Sequence, residues 1–83
     1  MNVMTKTEKI RTILLRDWDP FCVGDNANLT DEYDGFIGNI HLLLEKNCSE
    51  EELSSHLLAI ENHLASPIAD SQRAIAVKAL KNI

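Results

Sequence analysis

Apolar residues recur at three- and four-residue intervals along most of the chain, and no stretch alternates with the period of two that a strand requires. Ile10, Ile13, Leu14 and Trp18 make the first helical stripe. Thr5 and Glu8 open it as a capping box, in which hydroxyl and carboxylate each satisfy a backbone N–H left over at a helix start. Pro20 disfavours helical geometry at Asp19, so the first helix is expected over 5–18, with Trp18 closing its end against the next helix. A second helix is expected over 30–46, capped by Thr30, with Tyr33, Phe36, Ile37, Ile40 and Leu44 inward and Leu43 beside them. Gly35 and Gly38 inside it each cost about 1 kcal/mol relative to Ala, which predicts a neighbouring group packed closely there.

Ser49 and Glu52 form another capping box, opening a helix over 49–64 that buries Leu53, Leu57, Ile60 and Leu64. Ala65-Ser66-Pro67 interrupts the pattern. The last helix is expected over 70–82, with Asp70 as cap and Ile68 as a staple. Its core face is Ile75, Ala76, Ala79, Leu80 and Ile83, with Arg73, Lys78 and Lys81 solvated. From Pro20 to Leu29, Gly24, Asp25, Asn26 and Asn28 accumulate, which reads as a long loop of the kind that often carries function. The expected fold is therefore all-α: one domain over 1–83, a four-helix, mostly antiparallel bundle with one long loop between its first two helices. Trp18, Tyr33, Phe36, Ile37, Ile40, Leu57, Ile60 and Leu80 should share one core.

Composition narrows this picture modestly. Aromatic residues are only 5% of the 83, so the core must be mainly aliphatic. A chain of this length buries roughly 60% of its unfolded surface and leaves little room for a large enclosed pocket. No apolar run reaches the ~20 residues of a membrane-spanning helix, and the first residues lack the apolar core of a signal peptide, so a cytoplasmic protein without membrane contact is expected. Cys22 and Cys48 are the only cysteines and lie in no metal-binding spacing; reduced thiols are the default, and a single disulfide remains open.

Charge changes the picture more. Residues 17–70 hold twelve carboxylates against one basic residue, Lys46, whereas both ends are basic. This polarity favours a basic partner and opposes nucleic acid. Seven of those carboxylates (Asp31, Glu32, Asp34, Glu50, Glu51, Glu52 and Asp70) lie near expected helix N-termini, where the helix dipole already accounts for them. Asp17, Asp19, Asp25, Glu45 and Glu61 are left, three of them in or beside the long loop. Asp25-Asn26-Ala27-Asn28 fails the alternating oxygen spacing of a calcium loop. His56 and His63, two turns apart, cannot chelate one metal without a third element. Nothing places Cys22 beside a base, selects two carboxylates as an acid/base pair or supplies a phosphate-binding glycine loop, so no enzyme, metal or cofactor is expected.

Trp18-Asp19-Pro20, Val23-Gly24-Asp25, Asp31-Glu32-Tyr33-Asp34, Ser49-Glu50-Glu51-Glu52-Leu53 and Ile60-Glu61 together resemble a widespread group of small bacterial proteins. Asn62-His63-Leu64-Ala65 departs from the I-E-x-x-x-M-G ending of that group. The resemblance implies a short helical bundle, and for some members the role of immunity protein beside a secreted or contact-dependent toxin. With the charge map, it implies a protein that occludes the active site of a cognate toxin domain, expected to be a basic nuclease. The expected partner-binding residues are Asp19, Asp25, Asp31, Glu32, Tyr33 and Asp34, with Tyr33 either anchoring the contact or turned into the core. The alternative is a small acidic adaptor or regulatory protein unrelated to toxins, its carboxylates serving only solubility.

Overall fold

The computed structural model describes residues 4–29 and 31–83, Ala27 by its backbone alone. Four α-helices follow one another: α1 (Lys6–Ile13), α2 (Asp34–Glu45), α3 (Glu50–His63) and α4 (Asp70–Lys81). A π turn, Leu14–Trp18, continues α1, and a 3-10 turn, Ala27–Leu29, lies in the connection to α2. The described residues contain no strand.

Both expected caps at Thr5 and Ser49 are present, but they differ. Thr5 and Glu8 complete the reciprocal box. Ser49 accepts from the Glu52 N–H at 3.0 Å, whereas the Glu52 carboxylate accepts from the Ser49 hydroxyl at 3.4 Å. The second helix starts later than its stripe suggests: residues 31–33 form a turn and α2 begins at Asp34 without a side-chain cap. Thr30, the expected cap, lies outside the described residues. Asp70 is the first helical residue of α4 and Ala69 occupies the cap position, so Asp70 does not cap; its carboxylate accepts from Arg73 at 2.7 Å.

Two helices end in the same way. At α2, the Cys48 N–H donates to Leu43 O and Asn47 N–H to Leu44 O; at α3, Ser66 N–H donates to Glu61 O and Ala65 N–H to Asn62 O. These are Schellman closures, and their left-handed residues are Asn47 (φ 56°) and Ala65 (φ 54°). Asn tolerates that conformation; Ala does so at a steric cost.

The core joins Ile10, Ile13, Leu14 and Trp18 to Tyr33, Ile37 and Ile40, to Leu53, Leu57 and Ile60, and to Ala76, Val77 and Leu80. Phe36 is half-buried, presenting an edge to Trp18 with ring centres 6.3 Å apart. Three sequence expectations are overturned. No neighbouring atom lies within 4 Å of a Cβ built on Gly35 or Gly38, so neither glycine answers to close packing. Ile75 is 58% exposed rather than in the core. Arg73 is 5% exposed rather than solvated, because it reaches Glu61, itself 0% exposed.

That pair ties the molecule together. Glu61 Oε1 accepts from Arg73 Nη2 (2.6 Å) and the Ile68 N–H (3.1 Å), and Oε2 accepts from Arg73 Nε (2.8 Å) and Trp18 Nε1 (2.9 Å). A carboxylate offers about four acceptor sites, so this one is saturated. Burial would raise its pKa, but the hydrogen bonds from Arg73, Trp18 and Ile68 outweigh that and hold it below the usual carboxylate range. No helix of the described residues is long and apolar enough to cross a membrane.

Candidate functional site

Asp19 organises the segment after Trp18. The π turn ends with Asp19 N–H donating to Leu14 O at 2.7 Å, which leaves Asp19 in the left-handed region (φ 37°) with its side chain turned back over the loop. Its Oδ1 accepts from the Val23 N–H (2.9 Å) and the Tyr33 hydroxyl (2.7 Å), and Oδ2 from the Gly24 N–H (2.9 Å). Tyr33 in turn accepts from the Phe21 N–H at 2.9 Å. Gly24 is the glycine the fold requires: a Cβ there would stand 2.4 Å from Leu15 O and 2.9 Å from Asp19 Oδ2.

The same loop is braced from the far side. Ser66 donates its hydroxyl to Pro20 O at 2.6 Å, and Gln72 donates its amide to Trp18 O at 2.9 Å. The result is a hydrogen-bonded support carrying exposed Phe21, Cys22, Asp25, Asn26 and Asn28, with exposed Asp31 and Glu32 next along the chain. Phe21 stacks on Tyr33, ring centres 6.2 Å apart and planes 20° from parallel, yet remains 40% exposed.

The six expected site residues therefore divide. Tyr33 is turned inward, 1% exposed; burial first, and the Asp19 carboxylate second, push its pKa well above the usual phenolic value. Asp19 is spent on the loop backbone, and Asp34 accepts from Arg11 Nε and Nη2 at 2.8 and 3.0 Å. Its hydrogen bond and charge raise the Arg11 pKa. Asp25, Asp31 and Glu32 are exposed and make no ion pair among the described residues. Phe21 is the residue the sequence reading missed; its one signal was a lone aromatic directly after Pro20 in the long loop.

Comparison with protein-family models, curated proteins and solved structures returned no match. Any functional reading therefore rests on the geometry and on the motif resemblance.

Among the described residues, no three His, Cys, Asp or Glu are placed to hold a metal ion. His41 contacts Glu45 at 3.1 Å, and the half-buried His56 keeps Nε2 without a hydrogen-bond partner among the described residues. Cys22 and Cys48 are free thiols, the first exposed and the second buried. A shallow depression of about 400 Å³ beside the loop is lined by Thr12, Leu15, Arg16, Asp19, Gly24 and Asp25, too open and mixed in charge to enclose a small ligand.

Proposed function

We propose that this protein is an immunity protein that binds the basic nuclease domain of a cognate toxin through the loop after Trp18 and the turn before α2, blocking its active site without chemistry of its own. The observation that carries the reading is the trio Asp25, Asp31 and Glu32: exposed, without an ion-pair partner among the described residues, and carried beside a braced loop that displays Phe21. Carboxylates so placed stand where nucleic-acid phosphates would sit on a nuclease, which speeds association and excludes substrate together. A pre-braced loop also lowers the ordering cost of binding. The packing of α1 on α2 and of α3 on α4 supports a mostly antiparallel bundle, in which the long connection between the first two helices presents this face.

The test is a triple reversal, Asp25→Lys, Asp31→Lys and Glu32→Lys, with Glu50→Lys and Glu51→Lys as a charge-reversal control on an exposed helix start. The first variant should remain helical by circular dichroism and lose protection of cells expressing the cognate toxin, while the control keeps it. Equal protection by both would reduce the loop carboxylates to a solvated surface.

A further inference from the structure

We draw no further inference here: the strongest candidate, the depression between α2 and α3 lined by Leu43, Glu51, Glu52, Ser55 and His56, is an acidic helix start whose one further group, the half-buried His56, does not mark a ligand.

Discussion

At the level of single residues, the Glu61–Arg73 pair and Trp18 carry the largest local stakes. Breaking a buried ion pair from one side leaves an uncompensated charge and costs about 3–5 kcal/mol. Glu61→Gln should therefore lower the denaturant midpoint sharply, by an amount in that range for a domain whose whole stability is of order 5–15 kcal/mol. Trp18→Ala removes a 0%-exposed ring and one donor to Glu61 together, so a loss of about 3–5 kcal/mol is expected in urea unfolding. A midpoint equal to the wild type would place the ring outside the core. Ala65 offers the opposite sign. Its left-handed φ of 54° costs an Ala side chain about 1–2 kcal/mol that Gly avoids, so Ala65→Gly should raise the melting temperature slightly despite Gly's greater unfolded-state freedom.

At the level of elements, the loop between the π turn and α2 depends on one carboxylate and one glycine. Asp19 satisfies two loop N–H groups and the Tyr33 hydroxyl, so Asp19→Ala should unfasten the loop while α3 and α4 persist. Amide hydrogen exchange would record this as lost protection at Val23 and Gly24, with the helical amides of α3 unchanged. Gly24→Ala should loosen the same segment, because its Cβ would meet the Leu15 carbonyl, which is backbone and cannot swing away. The delayed start of α2 has the same origin. Tyr33 is held by Phe21 and Asp19, and the chain runs as a turn up to that anchor before helical bonding begins.

For the whole molecule, charge sets the behaviour at both extremes of pH. Glu61 binds protons more weakly folded than unfolded, so its contribution is complete above the ordinary carboxylate value of about 4.3 and fades as pH falls through the lower folded value. Tyr33 has the reverse sign: the folded state keeps its proton beyond the ordinary phenolic value of about 10, so stability should decline as pH rises past that point. Urea midpoints across pH should thus fall at both extremes, and Tyr33→Phe should flatten only the alkaline arm. The all-α class, the four helices, the Thr5 box and most of the core were legible from sequence, since hydrophobic period and capping are local and repeat along a helix. Tertiary structure alone decided that Val77 rather than Ile75 is buried on α4, because a stripe names a face without naming its neighbour. Arg73 could be buried only once folding brought Glu61 opposite it, twelve residues away in the chain. In the same way, Asp19, Tyr33 and Asp34 lie in one acidic stretch with Asp25, Asp31 and Glu32, and only the folded structure separated the groups tied to the loop (Asp19, Tyr33) or to Arg11 (Asp34) from the charges left facing solvent.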